Sequence, residues 1–325
     1  MHAAPILFLG STRQEQEREI FVSTEENSIK SRLKGGIITT ILISLGFLLA
    51  NIVLVAIGAS TIDKVLKQAL LNAGLFDEAG AKYFLMYFQF IYGWIAVVLL
   101  LFIFKRGRKY LTAFGTRPSG NRPSYLVAGL AIGLATNGFC IGAAVLCGNI
   151  KGFEFVGFQP LQVVMFAVAV FIQCSLEEIE SRGFIFQRVK HCYGPMVAMI
   201  VNAVYFSLSH LLNGGINPLA LLSIFVIGML FSLVTYHFDS LWMAYGIHTG
   251  WNFCQGVLFG LPNSGIATGY AIFRPVGELT SGFAYDVSFG VESTIVAVVL
   301  NAVIAILIYL WGKKHPRPCY DVFEA

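Results

Sequence analysis

A short charged stretch interrupts an otherwise apolar part of the chain. The sequence SLEEIESRG, at residues 175–183, follows an apolar run that begins at Pro160, and it carries three carboxylates and one guanidinium. A single charge at the centre of a bilayer costs roughly 2.5–3.5 kcal/mol. We therefore expect this stretch either to leave the hydrocarbon or to line a polar cavity, where carboxylates are candidates for acid–base chemistry.

Helical spacing separates the roles of two neighbouring glutamates. Glu178 and Arg182 are four residues apart, which predicts an ion pair on one helix face with the acid N-terminal to the base. Glu177 lies about 100° further round the helix and shares a face with Gln173 and Ser181. The pattern predicts one carboxylate held by a cation and one available for chemistry. A solvated cluster of ion pairs at a helix end is the plain alternative.

His210 lies in a second apolar run, at the end of FSLSH (residues 206–210). Asn202, Phe206 and His210 are spaced by four residues, so a continuous helix places them in one row on one face. A histidine that is hydrogen-bonded between helices is the simpler explanation of this residue taken alone.

His248 and Asn252 lie in a third apolar run, in HTGWN at residues 248–252. Their spacing directs both side chains to the same side of a helix. Because buried polar groups need partners, one convergent cluster is more favourable than several separate ones. We therefore expect these side chains to meet Glu177 and His210.

These residue types form a workable hydrolytic set. Glu177 can take a proton from a water that His210 helps to hold, and His248 and Asn252 can donate to a developing oxyanion. No serine or cysteine nucleophile is needed, and we prefer this interpretation, which requires no cofactor. Alternatively, Glu177, His210 and His248 could bind zinc with an open fourth position, as in a metalloendopeptidase. The sequence lacks the HExxH signature of many zinc peptidases.

Composition identifies the kind of protein that must position these residues. Of 325 residues, 56% are hydrophobic and 12% are charged, whereas a soluble domain carries about 25% charged residues. We predict an all-α polytopic membrane protein with about eight transmembrane helices around a polar active-site cavity. The predicted spans are 35–60, 84–104, 124–147, 160 to about 190, 195–212, 218–236, 241–261 and 293–311, with an interfacial helix at 61–83.

Charge distribution predicts the orientation in the membrane. Most of the 22 Lys and Arg residues fall in the two tails and in alternate loops, which places both termini in the cytoplasm of a cell-membrane protein. The predicted organisation is a cytoplasmic tail at 1–34, a membrane domain at 35–312 with its protease core at 124–261, and a second cytoplasmic tail at 313–325. No cleaved signal peptide and no nucleic-acid partner are predicted.

The three motifs together resemble the CPBP family of intramembrane proteases (CAAX protease and bacteriocin-processing, or Abi, family). Its patterns EExxxR, FxxxH and HxxxN occur in order as EEIESR at 177–182, FSLSH at 206–210 and HTGWN at 248–252. The resemblance implies endopeptidase activity, in which Glu177 and His210 activate water. It implies further that His248 and Asn252 stabilise the oxyanion, with Glu178 and Arg182 in supporting roles.

The resemblance also limits the substrates and partners to expect. Eukaryotic members remove the last three residues of prenylated CAAX proteins, and bacterial members are associated with bacteriocin maturation, immunity and membrane-protein processing. The composition and the loop at 262–291 resemble bacterial members more closely. The expected partners are membrane lipid and membrane-associated or lipidated peptides or proteins.

Two other classes of protein fit the same buried cluster. A proton-coupled transporter could use Glu177 and the histidines as a relay, although the charged stretch is not repeated elsewhere in the chain as an inverted-repeat transporter would suggest. A non-catalytic membrane scaffold could keep the cluster for packing, but three intact motifs argue against it.

Overall fold

The architecture comes from a computed structural model. It describes residues 61–103, 110–116, 121–316 and 321–322, with scattered positions between 36 and 58. The predicted tail at 1–34 lies outside the described residues, and so does most of the predicted first span at 35–60. Within the described ranges the regular secondary structure is helical apart from one pair of short strands, which confirms the predicted all-α class.

Several helices begin at a proline, which has no backbone N–H to leave unpaired in a first turn. The α-helices are α1 (Ile62–Asn72), α2 (Glu78–Phe88), α3 (Ile91–Ile103), α4 (Pro123–Leu146), α5 (Pro160–Glu178), α6 (Phe186–Tyr193), α7 (Pro195–Leu208), α8 (Pro218–Phe238), α9 (Leu241–Asn252) and α10 (Ile295–Lys314). The strands are β1 (Phe153–Phe155) and β2 (Phe273–Pro275). Wider π-helical turns continue α5 over Ile179–Ile185 and α9 over Phe253–Leu258.

Five helical stretches in the described part of the chain are long and apolar enough to cross a membrane. They are Glu78–Ile103, Pro123–Leu146, Pro160–Tyr193, Pro218–Phe238 and Ile295–Lys314. The helix α7 is apolar but shorter, and α9 is not among the five. The protein is therefore an integral membrane protein with several spans, while the number eight stays a prediction.

Two predicted element boundaries are wrong. The interfacial helix expected at 61–83 is divided, because α1 ends at Asn72 and the Asp77 side chain caps a new helix by accepting from the backbone N–H of Gly80 at 2.7 Å. The fifth span, expected at 195–212, ends four residues early at Leu208.

The helix α9 is buried along nearly all of its length and packs against α4, α5 and α8. It approaches α4 closely because glycines occupy the crossing. A Cβ atom on Gly246 would lie 2.4 Å from the carbonyl oxygen of Leu126, and one on Gly250 would lie 2.4 Å from that of Leu130. Small residues permit such approach between membrane helices. The contact fixes the helix that carries HTGWN.

The loop at 262–291 is tied to the segment that follows α4. β1 pairs antiparallel with β2, and the Asn149 side chain donates to the carbonyl oxygen of Thr280 at 3.0 Å. This anchoring places Asn263 and Ser264 beside the helices that carry the predicted site.

Candidate active site

The charged stretch spans the point where α5 widens into its π-helical turn. Glu177 and Glu178 are the last residues of the regular α-helix, and Ser181 and Arg182 lie in the wider turn. The Ser181 hydroxyl donates to the backbone carbonyl of Glu177. Single π-helical turns of this kind occur frequently at functional sites, where they redirect side chains.

The predicted pair of Glu178 and Arg182 is present and fully buried. Arg182 Nη1 lies 3.1 Å from Glu178 Oε1, and both side chains are 0% exposed. Arg182 also donates from Nη2 to the carbonyl oxygen of Gly228 at 3.2 Å, and its Cζ atom lies 4.3 Å from the ring centre of Phe206. Arginine is suited to such a position because its planar fork bonds several acceptors and stacks on aromatic rings.

Asn202 completes the surroundings of the guanidinium. With its amide turned to match the donors and acceptors around it, its oxygen accepts from Arg182 Nε at 3.1 Å and its nitrogen donates to the carbonyl oxygen of Ser181 at 2.8 Å. Asn202 therefore supports the charged stretch.

His248 lies between the two glutamates, and its hydrogen bond with Glu178 is a contact that the sequence analysis missed. Its Nδ1 atom lies 3.0 Å from Glu178 Oε1, and its Nε2 atom lies 3.8 Å from Glu177 Oε2. A carboxylate accepts hydrogen bonds, so the Nδ1 atom carries a proton. Glu178 is thus shared between Arg182 and His248.

Only one carboxylate oxygen of Glu177 accepts a hydrogen bond in the described part of the chain. Its Oε1 atom accepts a hydrogen bond from Gln173 Nε2, and its Oε2 atom has no hydrogen-bond partner among the described residues. The expected division between a held carboxylate at Glu178 and an available one at Glu177 is therefore present, with Gln173 as an additional contact.

Asn252 lies on the same side of α9 as His248, as its spacing predicts. Its Nδ2 atom donates to Gln173 Oε1 at 3.1 Å and to Cys174 Sγ at 3.4 Å. The second contact is the weaker of the two because a sulfur atom is a poor acceptor.

His210 lies in a turn beyond the end of α7, so the predicted row of Asn202, Phe206 and His210 along one helix is wrong. Side chains end the helix: Ser209 Oγ lies 2.8 Å and His210 Nδ1 lies 2.7 Å from the carbonyl oxygen of Phe206. The Nδ1 atom therefore donates, which leaves Nε2 as the acceptor of the ring.

One cavity of about 320 Å³ brings together the four residues that the sequence analysis singled out as catalytic. Its lining comprises Met86, Tyr87, Gln89, Phe90, Gln173, Glu177, Glu180, Ser181, Tyr205, Phe206, Ser209, His210, Asn213, His248, Asn252, Asn263, Ser264 and Ile266. The supporting residues Glu178 and Arg182 are buried behind this lining.

A further buried carboxylate, Glu292, lies beside His210 in the wall of a smaller cavity. It accepts from Trp251 Nε1 at 3.0 Å and from the backbone N–H and hydroxyl of Ser264 at 2.7 Å each. Burial raises the pKa of Glu292 above its ordinary value, while these donors and the nearby His210 act in the opposite direction. The sequence offers little indication of this residue, because it appears there only as a glutamate just before the last apolar run.

The zinc alternative requires Glu177, His210 and His248 to converge on one point. Within the part of the chain that the structure describes, no three His, Cys, Asp or Glu side chains are grouped closely enough to hold a metal ion. Glu177, His210 and His248 are therefore not grouped as a zinc site in the described part of the chain, and no metal is assigned to them.

Comparison with known proteins agrees with this geometry. Residues 159–254 match the family model described as type II CAAX prenyl endopeptidase Rce1-like, and all three motifs lie inside the match. No curated protein and no solved structure matches the chain. Residues 159–254 are therefore similar to the Rce1-like type II CAAX prenyl endopeptidase family, which is consistent with the resemblance of the three motifs to the CPBP family.

Proposed function

We propose that this chain is an intramembrane endopeptidase that hydrolyses peptide bonds of membrane-associated or lipidated peptides and proteins. The observation that carries the proposal is the Oε2 atom of Glu177, a buried acceptor without a hydrogen-bond partner among the described residues, at the wall of a cavity that His210, His248 and Asn252 also line. A base, a water-holding imidazole and two donors around one cavity suit the addition of water to a carbonyl group.

In the proposed reaction a water molecule donates one hydrogen bond to Glu177 and another to the Nε2 acceptor of His210. Glu177 takes a proton as the water oxygen bonds to the carbonyl carbon, and the carbonyl oxygen becomes an oxyanion. The C–N bond then breaks as the proton passes from Glu177 to the leaving nitrogen. The products are a carboxylic acid and an amine. Because water attacks the carbonyl carbon directly, no covalent serine or cysteine intermediate is formed.

The oxyanion is stabilised from α9. Asn252 can exchange its contact with Cys174 Sγ for the oxyanion and keep its contact with Gln173. His248 can donate from Nε2 when that atom carries a proton, because Glu178 accepts from Nδ1 and balances the charge of the ring. Preorganised donors of this kind contribute roughly 2.7–4 kcal/mol each in oxyanion holes.

The cavity walls and the charge pattern support the proposed substrates and orientation. The apolar side chains of Met86, Phe90 and Ile266 lie in the same lining as the polar site, which suits a peptide with an attached or neighbouring apolar group. We propose a cell-membrane location with both termini in the cytoplasm and a protease core at 124–261, from the distribution of Lys and Arg.

Co-expression with a library of lipidated and membrane-anchored peptides tests the proposal, with products identified by mass spectrometry. We expect truncated products with the wild-type protein and none with Glu177→Ala. The matched control is Glu278→Ala, which removes an exposed glutamate of the loop at 262–291 and should leave the products unchanged. Proton-coupled solute flux in vesicles without truncated products would support the transporter instead.

A further inference from the structure

Gln173 lies between the proposed base and the proposed oxyanion donor. Its side chain is one helical turn before Glu177 and is only 7% exposed. Its Nε2 atom donates to Glu177 Oε1, and its Oε1 atom accepts from Asn252 Nδ2 at 3.1 Å. A carboxylate only accepts and an amide nitrogen only donates, so the direction of both bonds is fixed. One side chain therefore joins α5 to α9 across the site.

We propose that Gln173 is a positioning residue that couples Glu177 to Asn252, an inference that rests on the proposed function. Its contact with Glu177 occupies Oε1, so Oε2 is the oxygen that remains for the water. Its contact with Asn252 occupies one N–H and leaves the other on Cys174 Sγ at 3.4 Å, an acceptor that a substrate oxygen can replace. Gln173 thus selects the reacting oxygen of the base and the reacting N–H of the donor.

A purely structural glutamine would contribute to stability alone, and the chain offers a matched example. Gln255 is 0% exposed, accepts from Asn137 Nδ2 at 2.7 Å and donates to the carbonyl oxygen of Pro262 at 2.6 Å. It has the same chemistry and the same burial, but it joins none of the four proposed catalytic residues. Gln255→Met is therefore the control for Gln173→Met.

Cleavage kinetics of the purified full-length variants test the proposal. We expect Gln173→Met to lower kcat by about 10- to 100-fold with KM within about two-fold, because misplaced groups affect the chemical step rather than binding. Gln255→Met should lower the melting temperature and keep the wild-type kcat. Identical kinetics for the two variants would overturn the proposal.

Coupling between Gln173 and Asn252 gives a second readout. In an Asn252→Ala background, Gln173→Met should lower kcat by a smaller factor than in the wild-type background, because its contact with Asn252 is already absent and only its contact with Glu177 is still lost. Full additivity of the Gln173→Met and Asn252→Ala effects would contradict the coupling.

Infrared spectra at a single pH separate failure of this proposal from failure of the proposed function. If the wild-type protein cleaves no peptide, the proposed function fails, and the infrared band of the Glu177 side chain, assigned by its absence in Glu177→Gln, still tests Gln173. This band should lie at a different frequency in Gln173→Met than in the wild-type protein and in Gln255→Met, because Gln173 Nε2 no longer donates to Glu177 Oε1. The same frequency in all three proteins would overturn the positioning role.

Discussion

Replacing Arg182 by methionine removes the cation of the buried cluster behind the cavity. The guanidinium is 0% exposed and donates to Glu178 at 3.1 Å, to the Ser181 hydroxyl at 3.0 Å and to the carbonyl oxygen of Gly228 at 3.2 Å. Its loss leaves the carboxylate of Glu178 buried without its strongest partner. Breaking a buried pair from one side costs about 3–5 kcal/mol, and we expect Arg182→Met to lower the free energy of unfolding by that amount.

An exposed ion pair in the same chain supplies the control. Lys67 Nζ lies 2.5 Å from Glu78 Oε2, but these side chains are 36% and 73% exposed. Exposed pairs contribute about 0–1 kcal/mol, so Lys67→Met should change the free energy of unfolding by less than about 1 kcal/mol. Denaturant titration of both variants in the same detergent gives the comparison. Equal losses for Arg182→Met and Lys67→Met would refute the argument from burial.

A double variant checks the cause of the loss. If the cost of Arg182→Met arises from an uncompensated carboxylate, then Glu178→Gln in the same protein should restore about 1–2 kcal/mol, because the buried charge is removed with its partner. Additive losses would instead indicate that packing of the arginine side chain dominates.

Three further predictions concern the elements that hold the site. Gly246→Ala should lower the free energy of unfolding by about 1–3 kcal/mol in a denaturant titration, whereas Gly142→Ala, with open space around it, should change it by less than about 1 kcal/mol. Because burial raises the pKa of Glu292 above 4.5, stability should fall as pH rises from 4.5 through the folded-state pKa, and Glu292→Gln should flatten that fall in melting temperatures measured against pH. Asp77→Ala should cost about 1 kcal/mol through loss of the α2 cap, as hydrogen exchange of that helix would report.

Much of the local structure could be predicted from the sequence, because it depends on neighbours along the chain. The start of α5 at Pro160 and the pairing of Glu178 with Arg182 follow from helix geometry alone. The shared direction of His248 and Asn252 follows from the same geometry, and both side chains line one cavity. The membrane class followed from composition.

The remaining contacts depend on packing between distant segments, which spacing does not encode. Glu178 and His248 are far apart in the sequence and meet because α9 packs against α5. His210 leaves its helix because side chains bond the carbonyl oxygen of Phe206, a local competition that hydrophobic periodicity does not reveal. Gln173 is a polar residue in an apolar run. Such a residue indicates a buried polar partner, although the sequence does not identify that partner.

Cleavage of a membrane-peptide library by the purified protein in detergent tests the central claim most directly, with wild-type protein and Glu177→Ala compared in the presence and absence of a chelator. We predict peptide products from the wild-type protein in both conditions and none from Glu177→Ala. Products from Glu177→Ala at the wild-type rate would contradict the assigned base, and loss of wild-type cleavage with chelator, restored by zinc, would contradict water activation by Glu177 and His210 without a metal.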